Sequence, residues 1–189
     1  MHTITTERCL LRRWREDDLD SFAAINTDDR VLAHLPGPLT RDESAAMIAR
    51  IEAGFREHGF GLWCVEVTEP ERRAPCIGFV GLQVPRFEAH FTPCVEIGWR
   101  LAPSHWGVGL ATEAARAALD DAFERCGLDE VVSFTVHANR PSWAVMERLG
   151  MTRDPAEDFD HPLLPPGDRL SRQRLYRIAR VDRRRHGRR

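Results

Sequence analysis

The sequence predicts an α/β (α+β) domain in which an antiparallel meander of strands runs on into a parallel strand–helix–strand unit. Three observations carry this. Helical periodicities and strand-like runs are interleaved along the chain instead of being segregated into separate stretches. Three strand-like runs, 61–67, 77–84 and 94–101, follow one another with no helical pattern between them, as expected of an antiparallel meander. From 94 to 136 the order is strand, glycine turn, helix, strand, which is a βαβ unit. With 189 residues, 42% of them hydrophobic, the chain can bury a sizeable core as one domain, expected over 1–180 with a basic, frayed tail at 181–189.

The elements follow in chain order. RCLLRRW (8–14) reads as a strand, and EDDLDSFAAIN (16–26) as a helix, with acids in its first turn and Leu19, Phe22, Ala23 and Ile25 at helical spacing. After the break LPGP (35–38), Thr40 and Glu43 form a capping-box pattern, and Met47, Ile48, Ile51 and Phe55 continue one apolar face until Gly59. The meander comes next. Its last strand, CVEIGWRL, leads through HWGVGLATEA (105–114) into the alanine-rich helix 112–126, closed by Gly127. EVVSFTV (130–136) is a β-branched strand, PSWAVMERL (141–149) a short helix opened by proline and closed by Gly150, and 151–160 and 172–179 read as two more strands around HPLLPPGD. About four helices are therefore expected.

Composition excludes several classes. The net charge is −2, from 27 basic and 29 acidic residues, and gives no global positive field for nucleic acid; the arginine tail has no aromatic platform beside it. No apolar run approaches the roughly 18 residues of a membrane span, and the start lacks the apolar core of a signal peptide. Five cysteines form an odd set without metal or redox spacing, which points to free thiols in a reducing, cytoplasmic setting and to no metal. Sequence leaves the choice between monomer and homodimer open.

The most informative stretch is the turn carrying Gly107, Gly109 and Ala111. A helix N-terminus offers amides without internal partners and a partial positive charge, and small residues let an anion approach them. The dinucleotide fingerprint fails, because the spacing is G-x-G-x-A after a meander; the Walker pattern fails because the chain has no lysine. A phosphate-bearing ligand and a plain turn both remain.

Together, VEIGWRLAPSHWGVGLATEA (95–114), ANRPSWAVMERLGM (138–151) and the element order resemble the GNAT superfamily of N-acetyltransferases, and within it the RimJ/RimL type that acts on ribosomal-protein N-termini. The resemblance implies an acyl-CoA N-acyltransferase fold, with a mixed, mostly antiparallel sheet splayed between the strand at 96–101 and that at 131–136, the family's fourth and fifth strands. It implies acetyl-CoA as co-substrate and a small-molecule or peptide amine as acceptor. In the family's R/Q-x-x-G-x-G/A signature the first position falls on Trp106, the middle glycine on Gly109 and the last small residue on Ala111. Amides from Val108 through Leu110 to Thr112 would then hold the pyrophosphate, with Gly107 and Gly109 allowing its approach. The pantetheine arm would lie on strand backbone at Trp99 and Leu101, and meet Asn139. Trp106 has an ordinary alternative, a ring packed on the helix.

Acetyl transfer needs a neutral amine, and one of pKa about 10.4 is neutral only about one part in 2,500 at pH 7. The resemblance places a base at Glu96 and an oxyanion donor at a strand N–H, that of Trp99. The family's usual tyrosine acid is replaced by Met146; Ser142 takes the place of a serine proposed for this branch, and His137 is a further titratable candidate. Tyr176 is expected in the core or at its rim. The family's substrate mouth implies a negative rim from Glu16, Asp17, Asp18, Asp20, Asp28, Asp29, Glu157, Asp158 and Asp160, suited to a cationic amine. A catalytically weak acetyl-CoA sensor is the alternative that the missing tyrosine permits.

Overall fold

The computed structural model describes residues 2–182; Met1 and residues 183–189, most of the expected basic tail, lie outside the described residues. Eight strands form one sheet in the spatial order β1-β2-β3-β4-β5-β6-β8-β7, where β1 is Ile4–Thr5, β2 Cys9–Arg12, β3 Leu62–Val67, β4 Gly78–Gln83, β5 Glu96–Leu101, β6 Glu130–Val136, β7 Phe159–Asp160 and β8 Arg172–Ala179. Every pairing is antiparallel except β5 with β6. The meander and the βαβ unit are therefore both present.

The helices are α1 (Asp18–Ile25), α2 (Asp29–Leu32), α3 (Arg41–His58), α4 (Leu110–Glu124) and α5 (Arg140–Arg148). The Thr40–Glu43 capping box forms reciprocally, and Gly59 ends α3 in the left-handed region at φ 76°. Helix α4 buries Leu110, Ala114, Ala115, Ala118, Leu119, Ala122 and Phe123 on one stripe, which covers β4 and β5. On the other face α1 pairs with α3 and sets Phe22 against Phe79 of β4, ring centroids 6.0 Å apart. None of these helices is long and apolar enough to cross a membrane.

Four elements differ from expectation. β1 and α2 have two and four residues, too short for any periodicity to register. The strand expected over 151–160 shrinks to β7 and one bridge, Thr152 with Arg177. Between them Pro155–Glu157 forms a 3₁₀ turn capped by Asp154, and Arg153 pairs with Asp158, so the backbone leaves the ladder. At the C-terminal end, residues 180–182 form a helical turn where the tail was expected to begin.

Folding also gathers residues that are far apart in sequence. Asp18, Cys64 and Cys76 place ligand-type atoms within 4.8 Å of one another. Both Asp18 oxygens already accept from the Arg12 guanidinium, at 2.7 and 2.8 Å, and Arg12 also donates to Glu66. The cation beside that buried carboxylate is an arginine.

Candidate active site

The parallel pair β5–β6 is joined at a single register position, Glu96 with Val132, whereas β6 pairs with β8 along its whole length. The two strands diverge beyond that point. Val132 N–H donates to the Val95 carbonyl at 2.9 Å, and the buried Ser133 hydroxyl donates to the Ile97 carbonyl at 2.8 Å, closing the fork. Backbone groups alternate in direction along a strand, so those of Trp99 and Leu101, like those of Val95 and Ile97, point into the gap. The Leu101 carbonyl is taken there by the Trp106 indole N–H at 2.7 Å.

A cleft of about 1590 Å³ occupies the gap and runs along the start of α4. Glu96, Trp99, Leu101, Trp106, Gly107, Val108, Gly109, Leu110, Ala111, Thr112, Asn139 and Ser142 all line it. The fold thus brings these twelve residues, from three separate stretches of the sequence, to one cavity. Gly107 and Gly109 have φ of 77° and 88°, the left-handed region that glycine enters without strain. As the N-cap of α4, Gly109 supplies no side-chain acceptor, so the first-turn amides keep their donors for another group. A Cβ on Gly107 would meet nothing within 4 Å, so this loop opens onto space.

Arg8 braces the loop from behind. Its Nη1 donates to the Val108 carbonyl at 3.0 Å, and its Nε and backbone N–H both donate to Glu113 of α4, which also accepts from Thr6. No local pattern signals this contact, which spans about 100 residues. Trp106, half exposed at 44%, ties the turn to the end of β5 through its indole bond.

Glu96 is 8% exposed and its carboxylate accepts one hydrogen bond, from Gln83 Nε2 at 2.8 Å across the β4–β5 ladder. Burial pushes its pKa up to about 7, against the opposing pull of the Gln83 amide. Residues two apart share a face, so Glu96, Gly98 and Arg100 lie with Phe79 on the α1 side, opposite α4. Gln83, Ser133 and Arg100 were not nominated from sequence. Only the antiparallel register sets Gln83 opposite Glu96, and the intervening connection 84–95 carries no periodicity from which to read it.

The remaining candidates separate clearly. Asn139 donates from Nδ2 to Thr135 at 3.0 Å, and Ser142 sits part-buried in the first turn of α5. Met146 is 1% exposed in the core. Tyr176 is 3% exposed, donates to Glu147 and does not line the cleft. His137 is exposed, contacts Arg174 and also lies off the cleft. None of the nine acids expected at a negative rim lines the cleft, and five of them are paired: Asp18 with Arg12, Asp20 with Arg41, Asp28 with Arg30, Glu157 with Arg177 and Asp158 with Arg153.

Comparison with known proteins follows the same lines. Residues 8–152 match the family described as Acetyltransferase (GNAT) domain. Over 179 residues the chain is 28% identical to a Bacillus subtilis (strain 168) protein named "Uncharacterized N-acetyltransferase YnaD", covering 94% of this chain and 96% of that one. A solved acetyltransferase from Agrobacterium tumefaciens str. C58 is 30% identical with a TM-score of 0.73, covering 94% of each chain. Spermidine N-acetyltransferase from Vibrio cholerae, solved in complex with CoA and spermine, has a TM-score of 0.71 at 17% identity, over 93% of this chain and 98% of that one; at this identity the likeness concerns the fold alone.

Proposed function

The chain belongs to the family of GNAT-domain acetyltransferases and is an acetyltransferase, and from that premise we propose that it moves the acetyl group of acetyl-CoA to a primary amine, of a small molecule or a protein N-terminus, by direct attack on the thioester in a ternary complex. The observation that carries this reading is a buried carboxylate, Glu96, at the fork of a splayed strand pair, in the same cleft as an uncapped helix start with two left-handed glycines. The cavity suits the co-substrate. It continues from the glycine turn, where anionic oxygens can reach backbone donors, to the open edge of β5, where an extended amide-bearing arm can pair.

When bound, acetyl-CoA supplies an electrophilic thioester carbonyl. Amides from Val108 to Thr112 bind the pyrophosphate, and the Trp99 N–H, pointing into the gap, donates to the carbonyl oxygen as negative charge develops there. The Asn139 side-chain oxygen orients the pantetheine arm, its nitrogen being held by Thr135. Glu96 takes the proton of the attacking amine, directly or through a water. Accepting it from an amine of pKa about 10.4 costs about 4.6 kcal/mol for a carboxylate at about 7, against about 8 kcal/mol for one at the ordinary value of about 4.5. Burial thus strengthens the base. Met146 is locked in the core and offers no proton, so we place Ser142, in the cleft at the start of α5, beside the leaving thiol, with solvent as the ultimate donor.

The RimJ/RimL-type assignment belongs to this proposal and rests on the two sequence motifs. So do the single catalytic domain over 1–180 and the cytoplasmic setting, which five free thiols suit. Thiol release from acetyl-CoA is the test, with peptides of different first residues, polyamines and amino-bearing antibiotics as acceptors. Turnover with at least one amine is expected. Tight acetyl-CoA binding without turnover of any acceptor, unchanged by Glu96→Gln, would instead mark a sensor, the reading that the buried Met146 favours.

Arg8 acts here as a positioning residue. Arg8→Gln frees the Val108 carbonyl and Glu113, and is expected to raise KM for acetyl-CoA about three- to tenfold with kcat within about twofold. A fall in kcat at unchanged KM would contradict that role.

A further inference from the structure

We propose that the physiological acceptor is an amine that also carries a carboxylate, and that Arg100 of β5 is the residue that selects it. This rests on the acetyltransferase reading and concerns the acceptor half of the same cleft. Arg100 lines the cleft on the face of Glu96 and Gly98, opposite α4 and the coenzyme turn. Its guanidinium stands 5.5 Å from the centre of the Phe79 ring and donates once, from Nη1 to Asn26 Oδ1 at 2.7 Å. Among the described residues no carboxylate lies within ion-pair distance of it, whereas Arg8, Arg12, Arg153 and Arg177 each meet one. Burial without a counter-charge lowers its pKa to about 10. A guanidinium has five donors in a planar fork suited to a carboxylate, and most of them remain here for a ligand.

Other basic side chains stand nearby, Arg30 among them paired with Asp28. Arg30 and His34 of the α2 region line the cleft, and Arg169 fastens the late loop over it by donating to the carbonyls of Ala33 and Leu35. His34 is held towards its neutral form by burial and by Arg169. The other acids lining the cleft, Glu113 and Asp120, belong to α4; Glu96 is the acid on the β5 face opposite it. A purely cationic amine would therefore meet one carboxylate and, in Arg100, a cation that no carboxylate of the described residues pairs, Arg30 being held by Asp28. A zwitterion satisfies both ends. The site for its nitrogen lies over Gly98, where an added Cβ would have only Glu96 Oε1 nearby, at 3.8 Å. Glu96 and Arg100 are four residues apart on one face of the strand, about 13 Å between Cα atoms, and the Glu96 carboxylate leans over Gly98, which lies between them, so the amine and the carboxylate belong to one small molecule or one short peptide. Val31, Leu35, Phe134, Leu163 and Leu164 line the same cleft and suit an apolar body.

The test compares leucine, 4-aminobutyrate and Leu-Leu, each with its neutral amide, and adds O-phosphoethanolamine against ethanolamine to separate a carboxylate from a phosphate. For at least one pair we expect kcat/KM to favour the carboxylate over the amide tenfold or more, mainly through KM. Arg100→Gln, its folding checked by thermal melting, brings that ratio to near one, and Arg100→Lys, which keeps the charge but not the fork, lies between. Amides accepted as well as the acids, a preference that survives Arg100→Gln, or a preference for the phosphate overturns the inference while acetyl transfer stands. If no amine at all releases thiol, the acetyl-transfer reading fails first, and melting decides this one: leucine must stabilise the wild type more than leucinamide does, and lose that advantage in Arg100→Gln.

Discussion

Glu96→Gln is expected to lower kcat/KM at pH 8 by about 10²–10³ while making the fold more stable. The two effects share one cause. Glu96 is buried with a single hydrogen bond to its carboxylate, and its pKa stands at about 7. The base form is the carboxylate, populated above about pH 7, so the ratio of wild-type to variant kcat/KM will rise between about pH 6 and 8 and level above that. Taking this ratio cancels the titration of the amine itself. For stability the sign is the reverse. The folded protein holds this proton up to about pH 7, whereas the unfolded chain releases it near 4.5. The contribution to stability is therefore complete below about 4.5 and is lost as the pH rises through 7, an amount of about 3 kcal/mol for a group this buried. Glutamine has no such proton to lose and can still bond with Gln83, so the melting temperature of the variant will gain on the wild type from pH 5 to pH 8. Parallel activity profiles with equal kcat/KM at pH 8 would remove Glu96 from the chemistry.

Gly109→Val is expected to weaken acetyl-CoA binding at least tenfold in calorimetry. At φ 88° a side chain is strained by about 1–2 kcal/mol even with space around it, and branching at Cβ adds to this. The new Cβ would stand in contact with Arg8 Nη2, at 3.4 Å, and the two methyls of valine beyond it would press on the guanidinium that braces the loop. Relaxing either contact turns the first-turn amides of α4 away from the cleft. Gly107→Ala provides the contrast: its φ of 77° imposes comparable strain, but its Cβ meets nothing, so it should lower the melting temperature more than it lowers affinity. An unchanged acetyl-CoA affinity in folded Gly109→Val would displace the cradle from this turn.

Legibility of the sequence differs from residue to residue for physical reasons. The capping box at Thr40 and Glu43, the small residues before α4 and the stripe that α4 buries depend on neighbours within a turn or two, and their spacing announces them. Met146 in the place of the usual phenol is visible directly. The acids expected at the substrate mouth are equally visible, yet their partners are not: Arg41 reaches Asp20 across 21 positions and Arg177 reaches Glu157 across 20. A count of carboxylates predicts a negative rim; it registers neither their partners nor that the fold sets them off the cleft.

By itself the sequence determined the order of the longer strands and helices, the glycine turn at the start of α4, the carboxylate on the last strand of the meander and a resemblance to the GNAT superfamily that the match over 8–152 bears out. Periodicity, capping and turn chemistry act over a few residues and are written locally. Only the tertiary structure decided that Gln83 faces Glu96, that Arg8 braces the glycine loop and that Arg100 stands in the cleft with no ion-paired carboxylate among the described residues. Each of these joins positions that come together through sheet register and helix docking. The charge and basicity of such groups depend on what the fold sets beside them and on how far it takes them out of water.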